Sequence, residues 1–202
     1  MSDPIYKRFV FLDVDGVLNH DEWYERIRCN HSSKELQTWD HNKRNLDPKA
    51  VKLLNQLKGA EVVISSSWGY SEDTVNGLKQ AGLKLPIIGG TIHYSICKKW
   101  LCRGNDIARW FVDNKYGEPL DIFFDRDGWY NTHVTFNGTV GEIVNDTAEM
   151  YTHPDSVKLS YVILDDFDDM LMQQKEHFLH ISKVHGLDQY DIVQAKRILN
   201  LD

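Results

Sequence analysis

Arg8-Phe9-Val10-Phe11-Leu12-Asp13-Val14-Asp15-Gly16-Val17-Leu18-Asn19 opens with consecutive apolar and aromatic side chains and then meets two carboxylates separated by one residue. A continuous apolar run rich in β-formers, rather than an alternating one, predicts a strand buried on both faces, as in a parallel sheet. Burial of that strand delivers Asp13 and Asp15 to its C-terminal end. In open α/β sheets ligands bind in the crevice beyond the strand tips. Gly16 lets the chain turn away at little steric cost and brings backbone close to whatever the carboxylates hold.

Two carboxylates with a single spacer suit magnesium-assisted transfer. A hard divalent cation takes oxygen ligands in octahedral array, usually with only one or two protein carboxylates among them. Asp13 could bind metal through one oxygen and attack with the other, so that a covalent acyl-phosphate splits one difficult displacement into two easier ones. Asp15 could protonate the leaving oxygen and later deprotonate the attacking water. The competing reading is a loop carrying two solvated Asp residues after a core strand, and the rest of the chain has to decide between them.

The stretch Phe9–Leu18 resembles the first motif of the haloacid dehalogenase (HAD) superfamily, whose phosphatases carry the pattern DxDGxL. The resemblance implies an α/β, Rossmann-like parallel sheet flanked by helices, a bound Mg2+, an aspartyl-phosphate on Asp13 and acid/base work by Asp15. It also requires three further pieces in order along the chain.

Length and composition set the bounds. A chain of 202 residues with 42% apolar content fits a single domain, residues 1–202, with room for an insertion. A formal net charge of -7 argues against broad affinity for nucleic acid or anionic membrane, without excluding a local basic groove. The three cysteines, Cys29, Cys97 and Cys102, form no CxxC pair, which suits a reducing compartment. His93, Cys97 and Cys102 lie close enough in sequence to raise a zinc site, but no fourth ligand follows at a finger spacing. No signal-peptide pattern opens the chain and no apolar run reaches membrane length, so the expectation is a soluble, cytoplasmic protein.

After Asn19 a polar segment dotted with aromatics, residues 20–44, has room for a short helix near Asp21–Arg28 and thus for a small cap or flap. Trp23, Tyr24 and Trp39 could stack a base at the site mouth or could pack the flap onto the sheet. Asp47-Pro48 is a helix start, with Val51, Leu53, Leu54 and Leu57 as its apolar stripe and Gly59 as its stop. Glu61-Val62-Val63-Ile64 then runs into Ser65-Ser66-Ser67-Trp68. In the resembled family a hydroxyl at this strand tip binds the transferring phosphoryl group, so the resemblance assigns Ser65, with Ser66 beside it, to phosphate. A further helix over Glu72–Ala81 and a strand over Leu85–Gly89 follow. The family carries a cation near the next helix start. Lys98, Lys99 and Arg103 are the candidates, Arg103 standing immediately before the amphipathic run Ile107, Trp110, Phe111.

Residues 119–159 contain Asp125-Arg126-Asp127-Gly128, a second DxDG, but no Ser-ended βα unit follows it. An Asp-Gly step between aromatic runs is a hairpin signal, and the whole segment reads as a β-rich insertion. Tyr161-Val162-Ile163-Leu164 is again an apolar run, ending in Asp165-Asp166-Phe167-Asp168-Asp169. Carboxylates this crowded repel unless a cation or hydrogen bonds compensate them. The resemblance makes Asp165 and Asp166 complete a magnesium site with Asp13 and Asp15, Asp166 ligating directly and Asp165 or Asp169 acting through water or hydrogen bonds. From Met172 a polar loop and then a helix are expected, with His177, His180 and His185 on a solvated face.

The sequence thus predicts a magnesium-dependent phosphomonoesterase. Asp-Val-Asp-Gly-Val-Leu-Asn, Asn-Leu-Asp-Pro, Val-Ile-Ser-Ser-Ser-Trp and Val-Ile-Leu-Asp-Asp together are similar to the HAD domain of Swiss Army Knife RNA repair proteins. That likeness implies a phosphorylated substrate, a nucleotide or a polynucleotide end. A sugar-phosphate phosphatase, a phosphotransferase and a catalytically idle nucleotide-binding module are the competing functions. The sequence gives no oligomeric state.

Overall fold

The opening apolar run forms β1, Ile5–Leu12, in a computed structural model that describes residues 5–30, 45–91, 102–114, 116, 123–124, 130–131 and 157–201. The chain divides into two compact units, one of Met1–Lys7, Thr91–Leu159 and Asp169–Glu176, the other of Arg8–Gly90, Ser160–Asp168 and His177–Asp202.

The second unit holds the sheet. Its further strands are β2 (Glu61–Ile64), β3 (Ile87–Gly90), β6 (Val157–Asp165) and β7 (Phe178–His180), arranged with β1 in the order β3-β2-β1-β6-β7. The sheet is parallel and flanked by helices, as a Rossmann-like HAD fold requires. The chain steps outward from β1 to β3 on one side, then crosses to β6 and β7 on the other. The strand order therefore reverses between β1 and β6, and this reversal is where doubly wound sheets open a ligand crevice.

Period-2 alternation sorts the strand side chains onto two faces. Val10, Leu12, Val62, Ile64, Val162 and Leu164 enter one core cluster with Val51 and Leu54 of α2 (Pro48–Leu54) and with Ile192, Ala195 and Leu199 of α5 (Gln189–Leu199). Phe9, Phe11, Val63, Tyr161 and Ile163 point the other way and are also buried. Phe11 meets Tyr161 edge to face with ring centroids 5.9 Å apart. The β1 run is thus buried on both faces, as its continuous apolar pattern predicts.

Between the sheet strands lie α1 (Asp21–Asn30) and α3 (Glu72–Gln80), the latter capped by Ser71. The α2 helix ends at Leu54, short of the expected stop, and a turn carries the chain to Gly59 at φ +93. The tail departs from expectation as well. Met172–His177 forms a 3-10 turn and Phe178–His180 a fifth strand beside β6, an element too short to show periodicity in sequence. Nor does His177 lie on a solvated face: its Nδ1 donates to the Tyr161 carbonyl and its ring stacks on that of Tyr161 at 3.9 Å. His180 Nε2 donates to the Asp166 carbonyl, while His185 stays exposed against Glu22.

In the first unit, α4 (Arg103–Asp113) buries Ile107, Trp110 and Phe111, and Cys102, Ala108 and Leu171 form a small apolar cluster. Strands β4 (Phe123–Phe124) and β5 (Tyr130–Asn131) pair antiparallel across the Asp-Gly step. Trp39, His93, Cys97, Lys98, Lys99 and most of 119–159 lie outside the described residues. No helix among the described residues is long and apolar enough to cross a membrane.

The two ends of the 20–44 segment are tied together. Asp47 N–H donates to the Leu18 carbonyl at 2.7 Å. The Asp47 side chain caps α2 through Lys49 N–H at 2.8 Å and lies 3.1 Å from His20 Nε2, the two side chains being 6% and 4% exposed. Loss of an N-cap costs about 0.5–2 kcal/mol, and stranding a buried polar partner about 1–3 kcal/mol. Asp47→Ala is therefore expected to lower the unfolding free energy by about 2–4 kcal/mol, read as a shifted urea midpoint. An unchanged midpoint would show that this clamp contributes nothing.

Candidate active site

Three strand tips are set side by side by backbone hydrogen bonds. Ser65 N–H donates to the Leu12 carbonyl at 2.8 Å and Asp13 N–H to the Leu164 carbonyl at 3.0 Å. The tips of β2, β1 and β6 thereby stand next to one another at one edge of the sheet. Asp13 is 3% exposed and Asp165, Ser65 and Ser66 are fully buried.

Carboxylate oxygens of Asp13, Asp165 and Asp166 lie within 4.8 Å of one another. Two like charges at that spacing repel by about 3–4 kcal/mol at an effective dielectric constant near 20. A divalent cation removes that repulsion, and an all-oxygen carboxylate donor set suits Mg2+ or another hard cation. The residues present fit the metal that the sequence implies. Asp13 Oδ1 also accepts the Val14 N–H at 2.8 Å, and Asp165 Oδ1 accepts the Phe167 N–H at 2.9 Å, so both carboxylates are aimed by the turns that follow their strands. Asp165 and Asp166, the acidic pair at the end of β6, both offer an oxygen to this cluster.

Asp15 is exposed, and its side chain is not among the three that converge. Its oxygens are held elsewhere. Asn19 Nδ2 donates to Oδ1 at 2.8 Å and the Trp68 indole Nε1 donates to Oδ2 at 2.9 Å. Asn19, fully buried, also accepts the Gly16 N–H at 3.0 Å, closing the turn that presents Asp15. Neither Asn19 nor Trp68 was assigned a role from sequence. Trp68 is separated from Asp15 by 53 residues, and only its place just past a serine-ended strand hinted at the site.

Gly16 has a positive φ of +79, and a Cβ there would overlap the Asp166 carboxyl group. Glycine is thus required twice, by backbone conformation and by the close approach of a cluster carboxylate. On α1, burial foremost and then the charges of Asp15 and Asp21 push the Tyr24 phenol above its ordinary range, so it remains an O–H donor at neutral pH.

The other candidates sit as follows. Ser66 Oγ accepts the Trp68 N–H in the turn past β2. Asp169 and Arg103 belong to the first unit, where the Asp169 carboxylate accepts the Arg103 N–H at 3.0 Å and so caps α4. Cys102 is buried in its apolar cluster, its N–H bonded to Asn105 Oδ1.

Residues 9–129 match the family described as the HAD domain in Swiss Army Knife RNA repair proteins, a span that contains Asp13, Asp15, Ser65, Ser66, Trp68 and Arg103. No curated protein and no solved structure matches the chain.

Gly16→Ala should lower the unfolding free energy by about 1–3 kcal/mol and weaken Mg2+ binding by displacing Asp166. Calorimetric titration with Mg2+ checks it, and wild-type affinity in the variant would show that Gly16 does not position the cluster.

Proposed function

The chain belongs to the family of HAD domains found in Swiss Army Knife RNA repair proteins, and on that premise we propose that it is a magnesium-dependent phosphomonoesterase acting on nucleotides or nucleic acid ends. The observation that carries this reading is the convergence of Asp13, Asp165 and Asp166 beside an Asp15 held by two hydrogen-bond donors.

In this mechanism an Asp13 carboxylate oxygen attacks phosphorus as the bond from phosphorus to the leaving oxygen breaks, and Asp15 gives its proton to that oxygen. Asp15, now a carboxylate, takes a proton from water, which attacks the aspartyl-phosphate at phosphorus and releases inorganic phosphate and free Asp13. Asp13, Asp165 and Asp166 would hold a magnesium ion, which would supply positive charge against the phosphoryl oxygens. Ser65, Ser66 and one of Lys98, Lys99 or Arg103 hold those oxygens during transfer. Trp68 and Asn19 fix the direction in which Asp15 delivers its proton, a matter of tenths of an ångström for proton transfer.

The substrate class rests on two supports. The family's name ties its HAD domain to RNA repair. Tyr70 and Phe167, past the tips of β2 and β6, are 55% and 59% exposed, as stacking side chains would be. A net charge of -7 disfavours tracking along many phosphates, which favours a strand end or a mononucleotide over a duplex. The cytoplasmic location rests on an odd number of cysteines with no CxxC pair in the sequence, which suits a reducing compartment.

The test is phosphate release, with and without Mg2+, from 3′- and 5′-phosphorylated oligonucleotides, mononucleotides and sugar phosphates. Wild-type protein is expected to release phosphate only with the metal. Asp13→Asn should abolish turnover, and Asp15→Asn should lower kcat by about 10²–10⁴-fold. Retained turnover in Asp13→Asn would sink the covalent mechanism. Preference for sugar phosphates would move the substrate to small metabolites, and no release from any compound would leave a binding role.

A further inference from the structure

A recess of about 320 Å³ is lined by Trp68, whose indole N–H donates to Asp15, and by Ser71, Asp73 and Thr74. We propose that this recess is the leaving-group subsite and that it takes one uncharged nucleoside, its base against the Trp68 indole and a hydroxyl or amino donor on Asp73. The inference rests on the phosphomonoesterase reading, which gives Asp15 the proton that the leaving oxygen receives.

Position comes first. The group protonated by Asp15 must lie within hydrogen-bond reach of it, and Trp68 is bonded to Asp15 at 2.9 Å through its indole N–H. The same half-buried residue lines the recess. A leaving group that accepts the Asp15 proton is therefore delivered onto the ring, and ring stacking tolerates any base.

The polar side of the recess then selects charge. Thr74 Oγ1 donates to the Trp68 carbonyl at 3.1 Å, Ser71 Oγ accepts the Thr74 N–H at 3.1 Å, and the two hydroxyls lie 2.9 Å apart. Both hydroxyls are engaged in holding the rim rigid. The group left to face a ligand is the exposed Asp73 carboxylate, which only accepts hydrogen bonds. A bare helix start would welcome a phosphate. Here Glu72 and Asp73 in the first turn of α3 already complement the helix dipole and repel a second anion. The recess is also at the small end of ligand pockets, which run from about 300 to 1,000 Å³. One nucleoside fits, and a further phosphate is disfavoured.

Two measurements test this. In the first, kcat/KM for nucleoside 5′-monophosphates, nucleoside 3′-monophosphates, a 3′-phosphorylated oligonucleotide and glycerol phosphate is compared across wild type, Trp68→Phe, Trp68→Leu and Asp73→Asn. Trp68→Phe keeps a ring but loses the bond to Asp15, so kcat should fall on all substrates. Trp68→Leu should lower the nucleotide-to-glycerol-phosphate ratio by a further tenfold or so, and Asp73→Asn should lower that ratio while improving tolerance of a nucleoside diphosphate. An equal fall on glycerol phosphate and nucleotides in Trp68→Leu would overturn the subsite while leaving the phosphatase reading intact. The arm that wild type prefers tells a free nucleotide from a strand end.

The second measurement needs no turnover. Adenosine is titrated into ¹⁵N-labelled wild-type protein, and the six indole N–H signals are followed, that of Trp68 being assigned by its loss in Trp68→Phe. A saturable shift of the Trp68 signal, produced by adenosine and by other nucleosides but not by ribose, supports the subsite even if no phosphate is ever released. An unmoved Trp68 signal overturns it.

Discussion

Two backbone hydrogen bonds level the strand tips on which everything else depends. Because Ser65 N–H reaches Leu12 and Asp13 N–H reaches Leu164, the last sheet positions of β2, β1 and β6 stand abreast. The chain can then change direction only beyond them, and whatever polar residues come next are forced into one crevice. Burying Asp13 and Asp165 there opposes folding, since carboxylates lose hydration and repel each other. The opposing resource is the sheet itself. Phe9, Val10, Phe11, Leu12, Val162, Ile163 and Leu164 are all fully buried, and each such side chain contributes about 1.5–3 kcal/mol. A handful of apolar residues thus offsets the carboxylates that they carry to the rim.

A second constraint separates two kinds of Asp. Asp13 and Asp15 are two residues apart, yet one is buried among carboxylates and the other is exposed and held by Asn19 and Trp68. Gly16 makes the separation possible, because its positive φ swings the chain off the strand direction while leaving space for Asp166. Cation holding and proton transfer demand opposite environments: one wants converging negative charge, the other a single carboxyl free to exchange its proton with a leaving group. Adjacent residues meet both demands only because a tight turn parts them. Just beyond, the Asp47 and His20 side chains meet and fasten the segment that carries Tyr24 close to Asp15.

Much of this was legible in the sequence, for local reasons. The β1 run, the Asp47-Pro48 start of α2 and the Glu72 start of α3 are written in residues within a turn of where they act. The carboxylates followed from the same logic, since an apolar run that ends in Asp must deliver it to a strand tip. Strand β7 was not legible, because three residues carry no period and pair only by virtue of β6. His177 likewise looks polar and solvated until Tyr161 is folded against it.

By itself the sequence determined the parallel α/β sheet, the order of its chemical strand tips and the identity of Asp13, Asp15, Asp165 and Asp166 as their acidic residues, because burial pattern and capping act over short range. Only the tertiary structure decided that Asp15 stands apart from Asp13, Asp165 and Asp166, and that Trp68 holds it. Those outcomes are distances between residues far apart in the chain. No local pattern encodes them, and they are fixed only when neighbouring strands hydrogen-bond in register and bring their tips to one edge.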